Sequence, residues 1–351
     1  MPTPERKIIV ALSGGVDSAV AAATLIEQGW QVRGVHLLLT VKPGDSTSLD
    51  LLCKFLGIEC VQVDFRQEFN TRIISYFSAL YRAGKTPNPC VRCNEQIKFG
   101  ELLRVIRSWG YNYLATGHYA RIERNSFGIA ALLQGLDTLK DQSYFLHRLK
   151  SEVLNSVIFP LGRLTKIQVK EKSVTLGLDR FLPSQESQEL CFINGKYTDF
   201  INQLGEDGLA CPGPMVNRQG DVLGRHRGLA YYTVGQRQGL GVPGPAAYYV
   251  LEIIPELNQL VIGFKDELKA TALEVEDINW LIPPPTEPLP AKVRLRFRHP
   301  GVDGLISPFG PRDARVFLDV PQTAITPGQA AVFYRGEQVL GGGWIVRAIN
   351  T

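Results

Sequence analysis

A stretch near the N-terminus, Lys7–Ser18 with the sequence KIIVALSGGVDS, constrains the fold more than any other part of the chain. An apolar run ends at Ser13-Gly14-Gly15, and helix-forming residues follow from Val16 until Gly29. This pattern predicts a buried strand, a glycine turn and a helix. Glycines let a backbone approach an anion closely, and the free N–H groups of a helix start attract phosphate.

The residue types in this turn favour a nucleotide. Ser13 and Ser18 add hydroxyl donors, and Asp17 is well placed to hold a Mg²⁺ ion that bridges phosphate oxygens. No lysine follows the glycines, which excludes the G-x-x-x-x-G-K-[ST] loop of kinases and GTPases. A plain structural turn between a strand and a helix is the alternative.

Length and composition set the wider limits. A chain of 351 residues exceeds the size at which one core keeps growing, so two or three domains are expected. No run of about 18 apolar residues exists and the N-terminus lacks an apolar centre, so we expect a cytoplasmic protein without a membrane span. Six cysteines in such a chain favour metal or redox chemistry over a disulfide framework. A net charge of +4 permits a nucleic-acid partner without requiring one.

Strands and helices alternate through the first half of the chain. Strands are predicted at Val32–Leu39, at Cys60–Asp64 and at Tyr113–Thr116, and this alternation predicts a parallel sheet with helices on both faces. Ligands of such sheets bind at the carboxyl ends of the strands. Ser13–Ser18, Leu38 and Gly117–His118 all lie at such ends, so we expect them to converge on one site.

Two cysteines in C-x-x-C spacing, Cys90 and Cys93, stand in the segment Lys85–Phe99. Prolines on both sides of Asn88 predict a stiff, exposed loop that ends at a helix start, where thiols become good nucleophiles or metal ligands. Half of a zinc site or two idle thiols are the alternatives. Cys191 is predicted on a strand between apolar neighbours, where cysteine is usually part of the core.

The remaining segments carry weaker signals. Lys140–Ser143 predicts a polar helix opening, which a simple capping segment would also explain. From about Gly205 the sequence becomes β-rich. Along Lys292–Arg298, basic and apolar residues alternate, which predicts a strand with a basic face suited to RNA or simply to solvent. Arg335 follows Tyr334 at a predicted turn and could stack on or pair with nucleic acid.

Several motifs together resemble one family. SGGVDS resembles the PP-loop of ATP pyrophosphatases, which grips the leaving pyrophosphate. With the Pro87–Asn94 loop, Cys191-Phe192-Ile193, Ala115–Tyr119 and Lys140–Phe145, the chain is similar to bacterial tRNA-specific 2-thiouridylases. The match extends to Thr233–Arg237 and Thr326–Tyr334, so it covers nearly the whole chain.

The resemblance implies three domains. Residues 1–204 would form a PP-loop ATP-binding catalytic domain of the α/β class, residues 205–270 a central β-rich domain, and residues 271–351 a β-barrel that binds tRNA. Pro283–Pro290 would be a loop within this last domain.

It also implies a reaction on tRNA. The wobble uridine of tRNAs for lysine, glutamate and glutamine would be adenylated on its 2-oxygen with ATP and Mg²⁺ and then thiolated. Cys191 would carry a persulfide from a cysteine desulfurase or a relay protein. Cys93 would release the sulfur as sulfide, or close a disulfide with Cys191 after transfer.

Site residues follow from the matched motifs. Catalysis is assigned to Asp17, Cys93 and Cys191. ATP binding is assigned to Ala11, Leu12, Ser13, Gly14, Gly15, Val16, Asp17, Ser18, Leu38 and Gly117. Contacts with the target base and the tRNA are assigned to Asn88, Pro89, Cys90, His118, Lys140, Asp141, Gln142, Gln329, Tyr334 and Arg335.

Two departures from the family leave alternatives open. Many members have aspartate where this chain has Cys90, and a third thiol beside Cys93 and Cys191 could complete a cradle for a 4Fe–4S cluster that delivers sulfide. Leu37–Thr40 is less polar than the matching segment in many members of the family, so the resemblance predicts the adenine pocket less closely than it predicts the phosphate site. Another PP-loop synthetase that adenylates a different acceptor, or a binding module without turnover, are the rival functions.

Overall fold

The computed structural model describes residues 6–40, 46–181, 190–193, 200 and 211–349. The chain forms two compact units that interleave along the sequence. The first comprises residues 1–72, 90–192 and 337–339, and the second comprises residues 73–89, 193–336 and 340–351. Within the described ranges, we find no helix long and apolar enough to cross a bilayer.

A five-stranded parallel sheet forms the centre of the first unit. Its strands are β1 (Lys7–Ala11), β2 (Gln31–Leu38), β3 (Cys60–Asp64), β4 (Leu114–Ala115) and, later in the chain, β7 (Val157–Ile158). They lie in the order β3-β2-β1-β4-β7. An antiparallel hairpin of β5 (Ala120–Arg124) and β6 (Ala130–Gln134) stands between β4 and β7 in the chain. The predicted parallel sheet is confirmed, and β3 has the predicted bounds.

Helices of the first unit pack on this sheet. The first, Val16–Glu27, is built from small residues, and its segment from Ser18 to Leu25 is buried. Alanines have high helix propensity, and their short side chains let this helix lie close to its neighbours. Its core also takes in Leu49, Leu52 and Cys53. The other helices contributed by this part of the sequence are Ser46–Leu56, Ser143–Leu146, Ser151–Leu154, Lys166–Thr175 and Asp179–Phe181.

Two long helical segments each contain a π-helical stretch, which spacing in the sequence does not reveal. Residues 66–82 run as Arg66–Phe69, π-helical Asn70–Ile74 and Ser75–Arg82. Residues 89–108 run as Pro89–Cys93, π-helical Asn94–Glu101 and Leu102–Ser108. In a π-helix the N–H of residue i+5 bonds to the carbonyl of residue i, and such stretches are frequent at functional sites.

The expectation of an exposed loop around Asn88 is wrong. Pro87, Asn88 and Pro89 are buried, and Pro89 already begins a helix that contains Cys90 and Cys93. Proline is well tolerated at the first helical position because its missing N–H would have no partner there. Proline thus fixed the helix start instead of preventing a helix.

A four-stranded sheet opens the described β-rich part of the second unit. It consists of β8 (Gly213–Val216), β9 (Val222–His226), β10 (Tyr249–Ile254) and β11 (Gln259–Gly263) in the order β10-β11-β8-β9. Short helices accompany it at Leu229–Tyr231, Pro255–Leu257 and Lys265–Leu268. Met215, Leu229, Tyr232 and Val250 belong to its separate core.

A closed six-stranded β-barrel follows. Its strands are β12 (Lys269–Trp280), β13 (Leu289–Arg294), β14 (Val302–Pro308), β15 (Ala314–Thr323), β16 (Ala330–Arg335) and β17 (Gln338–Ile349). Pairing of β12 with both β15 and β17 closes the barrel. Residues 281–288 connect β12 to β13, so the expected loop is present up to residue 288, whereas Leu289 and Pro290 already belong to β13.

The expected basic strand at Lys292–Arg298 is only partly present. β13 ends at Arg294, and residues 295–298 form bends and turns. The Arg294 guanidinium donates to the carbonyl of Phe297 at 3.0 Å and to that of His299 at 3.1 Å, which folds the chain back on itself. The continuous basic stripe inferred from the alternating pattern therefore does not form.

Candidate active site

The glycine turn after β1 has the geometry of an anion-binding loop. Gly14 has φ +79°, a conformation that favours glycine. The Ser18 hydroxyl donates to the Gly15 carbonyl at 2.9 Å and accepts from the Ser13 N–H at 3.2 Å. As far as the described residues show, no side chain caps the helix that starts at Val16, so its first N–H groups are available to a ligand.

Gly117 is pressed against this loop. A Cβ atom at Gly117 would lie 2.8 Å from the Asp17 carbonyl carbon and 2.9 Å from the Ser18 nitrogen. Only glycine allows this approach, which brings the end of β4 beside the loop that follows β1. The predicted convergence of strand ends is therefore present in the structure.

The Asp17 carboxylate is held by two side chains that sequence analysis missed. Its Oδ1 accepts hydrogen bonds from the Lys166 ammonium and the Tyr119 hydroxyl, each at 2.7 Å. Lys166 is buried and begins the helix Lys166–Thr175, where Thr165 and Gln168 form a capping box. The spacing of 149 residues between Asp17 and Lys166 leaves no local pattern that could have indicated the pair.

A cavity of about 490 Å³ opens beside the loop. Ligand sites for small molecules usually enclose about 300–1,000 Å³, so a nucleotide fits this space. The lining includes the predicted residues Ala11, Leu12, Ser13, Asp17, Ser18, Leu38, Gly117, His118, Gln142 and Cys191. It also includes His36, Leu37, Leu39, Thr40, Lys98 and Thr116, which were not assigned to the site.

Apolar side chains form one wall of the cavity. Leu37, Leu38 and Leu39 follow one another at the end of β2, and the His36 ring is fixed by a 2.8 Å hydrogen bond between its Nδ1 and the Leu12 carbonyl. Such a wall suits the flat, weakly polar face of a purine better than it suits phosphate. The low polarity of this stretch, noted in the sequence, is thus compatible with a base-binding surface.

Of the three thiols assigned to the site, Cys191 lines this cavity, whereas Cys90 and Cys93 are not among the described residues of its lining. Cys191 lies in a turn at residues 191–192, so the predicted strand is wrong for the described residues 190–193. Cys93 is buried, and burial raises the pKa of its thiol to about 12, against the opposing charge of Lys98. Cys90 is exposed as a residue, yet the protein atoms packed around its sulfur raise its pKa as well. Both thiols are close enough to Cys191 for electrostatic interaction.

His118 stands between the strand ends and the helix that carries the thiols. Its Nδ1 is 2.7 Å from the Thr116 hydroxyl, and its ring centre lies 5.8 Å from that of Phe99 and 5.9 Å from that of Phe159. Burial, together with the charge of Lys98, lowers the pKa of His118 well below its usual value. This shift favours the neutral imidazole at physiological pH, which can both donate and accept a hydrogen bond.

The predicted segment Lys140–Gln142 has a clear structural role. Asp141 is buried, and its carboxylate accepts hydrogen bonds from the Gly135 and Ser143 N–H groups, each at 3.0 Å. Gln142 Oε1 accepts from the Tyr119 N–H at 3.0 Å. The helix Ser143–Leu146 has Gln142 at its N-cap position and, among the described residues, no side-chain capping bond there, and the Asp141 carboxylate accepts a hydrogen bond from its first N–H from the residue before that cap.

Other predicted tRNA contacts lie in the second unit. The Gln329 amide donates to the carbonyls of Thr86 and Pro87, each at 3.2 Å, and so holds the segment before Asn88. Tyr334 is buried with the Arg294 guanidinium 5.5 Å from its ring centre. Arg335 is exposed at the end of β16. Of these residues, Arg335 is the most accessible to a large partner.

Family models match three consecutive segments of the chain. Residues 6–195 match a tRNA methyl transferase HUP domain, residues 198–264 a tRNA methyl transferase PRC-barrel domain, and residues 270–345 an aminomethyltransferase beta-barrel domain. The matched segments together span nearly the whole sequence.

Curated relatives match over the full length. The chain is 42% identical to the tRNA-specific 2-thiouridylase MnmA of Geobacter metallireducens, over 98% of each chain. It is 41% identical to that of Magnetococcus marinus, over 98% of this chain and 100% of the relative. It is 42% identical to the tRNA-specific 2-thiouridylase MnmA of Heliobacterium modesticaldum, over 99% of this chain and 94% of the relative. The chain therefore belongs to the tRNA-specific 2-thiouridylase family and is a tRNA sulfurtransferase.

Proposed function

We propose that this enzyme catalyses the ATP-dependent 2-thiolation of the wobble uridine in tRNAs for lysine, glutamate and glutamine. The observation that carries the proposal is the single cavity whose lining includes both the phosphate loop and Cys191. A base activated with AMP in this cavity would meet its sulfur without passing through water.

Adenylation is the first half-reaction. The uracil 2-oxygen attacks the α-phosphorus of ATP, the bond to the β-phosphate oxygen breaks, and pyrophosphate leaves with the electron pair while the uracil N3 proton is released. The open N–H groups at the start of the helix Val16–Glu27 bind the departing charge. Asp17 is the one carboxylate among the described lining residues and would hold Mg²⁺ only together with the phosphates of ATP, which is how Mg²⁺ is commonly bound. When bound, Mg²⁺ supplies charge neutralisation at the phosphates.

Sulfur transfer is the second half-reaction. The terminal sulfur of a Cys191 persulfide, supplied by a cysteine desulfurase or a relay protein, attacks C2 of the base, and AMP leaves with the electron pair of the C2–O bond. The Cys93 thiolate then attacks the Cys191 sulfur, which frees the 2-thiouridine and forms a Cys93–Cys191 disulfide. A thiol reductant restores both cysteines. Because burial raises the pKa of Cys93, its thiol must lose a proton during this step.

A 4Fe–4S cluster on Cys90, Cys93 and Cys191 is the second candidate for sulfur delivery. The interaction of both helix thiols with Cys191 favours it. However, among the described residues no group of three or more His, Cys, Asp or Glu side chains is arranged to hold a metal ion. The residues as placed do not fit a cluster, so we prefer the persulfide. Iron and labile sulfide that copurify without oxygen, and are lost in Cys90→Ser, would reverse this preference.

The residues assigned to the tRNA come from several segments of the chain. Asn88, Pro89 and Cys90 are assigned to the target base, which must leave the anticodon stack. His118, Lys140, Gln142, Gln329 and Arg335 are assigned to the rest of the tRNA, whereas the buried side chains of Asp141 and Tyr334 would support their neighbours without touching it. The division into residues 1–204, 205–270 and 271–351 is part of the same proposal, and the three matched family segments support it.

Separate assays of the two half-reactions test the mechanism. Asp17→Asn should lower tRNA-dependent pyrophosphate release by about 10²-fold, because a carboxylate at the phosphates is lost. Cys93→Ser should leave pyrophosphate release intact and abolish 2-thiouridine formation, while Cys211→Ser, at an exposed position remote in sequence from the motifs, serves as the control. Thiolation that survives in Cys93→Ser would refute the role assigned to that thiol. Pyrophosphate release with small acceptors in place of tRNA would favour a different synthetase.

A further inference from the structure

Lys98 is an ammonium group that the mechanism above does not use. It lines the same cavity as the phosphate loop and Cys191 and is half-buried. In the described parts of the chain no carboxylate forms an ion pair with it, whereas Lys166 is paired with Asp17. Holding a charged amine in a partly buried place is costly, and no described carboxylate offsets that cost at Lys98, so its position needs a reason.

The π-helical stretch explains how Lys98 reaches the cavity. In an α-helix of 3.6 residues per turn, a residue five positions after Cys93 would lie about 140° round the axis, on a different face. In the π-helix Asn94–Glu101, which starts directly after Cys93, each residue rotates less about the axis than in an α-helix, so Lys98 lies closer to the side of Cys93 than α-helical geometry would place it. The wider turn thus aims the amine towards the thiols and the nucleotide space.

The charges around the cavity favour an anionic ligand. Asp17 is the one carboxylate among the described lining residues, and Lys166 and Tyr119 already donate to it. His118 is neutral, and Cys90 and Cys93 keep raised pKa values despite the nearby amine, so the thiols do not neutralise Lys98. The described lining residues therefore carry an excess positive charge at Lys98 before a substrate binds.

The chemistry of the substrate points to one of its phosphates. If the loop holds the β- and γ-phosphates, the α-phosphate lies further along the cavity, and the adenylated base must place its C2 atom within reach of Cys191. The α-phosphate is then the anionic group that must lie near both Cys191 and Lys98.

We infer that Lys98 binds the α-phosphate of ATP and of the adenylated uridine. This inference rests on the proposed function. The ammonium stabilises charge that develops on the α-phosphoryl oxygens while the uracil 2-oxygen bonds to phosphorus and the bond to pyrophosphate breaks. It stays paired with the same phosphate when the C2–O bond breaks and AMP leaves, so one residue serves both half-reactions. Lys98 would be a catalytic residue because it touches the reacting phosphate.

The test is tRNA-dependent ATP–pyrophosphate exchange, which reports adenylation without sulfur. Lys98→Met, which keeps the length and removes the charge, should lower kcat for exchange by about 10²-fold, with KM for ATP changed by less than about threefold. Lys98→Arg keeps the charge, so its kcat for exchange should be at least about tenfold higher than that of Lys98→Met. Lys150→Met, at an exposed lysine of the same unit, should behave as wild type.

A second measurement works on the wild-type enzyme and does not depend on whether a variant folds. Modification of Lys98 by an amine-directed acylating reagent, followed by mass spectrometry, should slow by at least about fivefold when ATP, Mg²⁺ and tRNA are present without a sulfur donor. Equal labelling with and without these substrates would overturn the inference.

The possible failures are distinguishable. If wild-type enzyme shows neither exchange nor thiolation, the proposed function fails. If wild type exchanges normally and Lys98→Met does too, the inference about Lys98 alone fails. If Lys98→Met loses thiolation but keeps full exchange, the amine serves the thiols and the phosphate role is refuted. Equal losses in the Met and Arg variants, with lowered melting temperatures, would show a structural role and likewise overturn it.

Discussion

Replacing Gly117 with alanine tests how closely the end of β4 must approach the phosphate loop. The new Cβ would lie 2.8 Å from the Asp17 carbonyl carbon, 2.9 Å from the Ser18 nitrogen and 3.0 Å from the Asp17 oxygen, against 3.4 Å for the start of ordinary contact. These neighbours are backbone atoms, which cannot rotate away as the end of a side chain can. The loop itself must therefore move.

Overpacking of this kind typically costs about 1–3 kcal/mol. If the cost appears in the displaced loop, Kd for ATP should rise by about 5- to 150-fold, since 1.4 kcal/mol corresponds to a factor of ten. Titration calorimetry with ATP and Mg²⁺ measures this change directly. Pyrophosphate exchange should fall in parallel, because the N–H groups at the helix start would no longer meet the phosphates in the same positions.

Gly310→Ala provides the matched control. A Cβ at Gly310 would meet only the Asp313 side chain, at 3.2 Å from its carboxylate oxygen, and that group can turn aside. This variant should bind ATP as wild type does. If Gly117→Ala also binds ATP within about twofold of wild type, the loop tolerates the displacement and the steric argument is refuted.

Two further predictions concern buried side chains of the first unit. Lys166→Met should lower kcat for adenylation by about 10²-fold, because Asp17 loses the partner that orients it. Lys166→Arg keeps the charge and should be less affected. An unchanged rate of pyrophosphate exchange in Lys166→Met would contradict this prediction. His147 is fully buried with its Nδ1 on the Tyr144 carbonyl, and burial lowers its pKa from 6.5 to about 3. Below pH 6.5 only the unfolded chain gains this proton, so the free energy of unfolding should fall by about 1.4 kcal/mol per pH unit from this group. Urea unfolding at pH 7.0 and 5.5 gives the free energy of unfolding at each pH, and this free energy should change less between the two pH values in His147→Asn than in the wild type. An equal change in both proteins would argue against the lowered pKa of His147.

Short stretches of sequence were sufficient to predict those strands, turns and helices that depend only on neighbouring residues. The apolar run, the two glycines and the alanine-rich segment after Asp17 specify a strand, a turn and a helix between Lys7 and Glu27. Cys60–Asp64 was predicted with its observed bounds because the β-branched residues Val61 and Val63 alternate with other residues there. The parallel sheet then followed from the alternation of such elements, and with it the edge on which the site lies.

Features that depend on distant or unusual backbone geometry could not be predicted in this way. Apolar periodicity assumes 3.6 residues per turn, so the π-helical stretch that directs Lys98 was invisible. The partner of Asp17 lies 149 residues away. Alternation at Lys292–Arg298 indicated a strand, but hydrogen bonds from the Arg294 guanidinium end it early. The site residues that came from matched motifs remain predictions until the half-reactions are assayed.

The hold of Gln329 on Thr86 and Pro87 has a consequence for biosynthesis. The two ends of this contact are 243 residues apart, and the Thr86 N–H also bonds the Pro327 carbonyl. A ribosome working at about 5–20 residues per second needs roughly 12–50 s to make the intervening chain. During that interval the nascent polypeptide has its glycine-rich loop but lacks the clasp on the residues just before Asn88. A messenger truncated before codon 327 would yield a protein in which this clasp never closes.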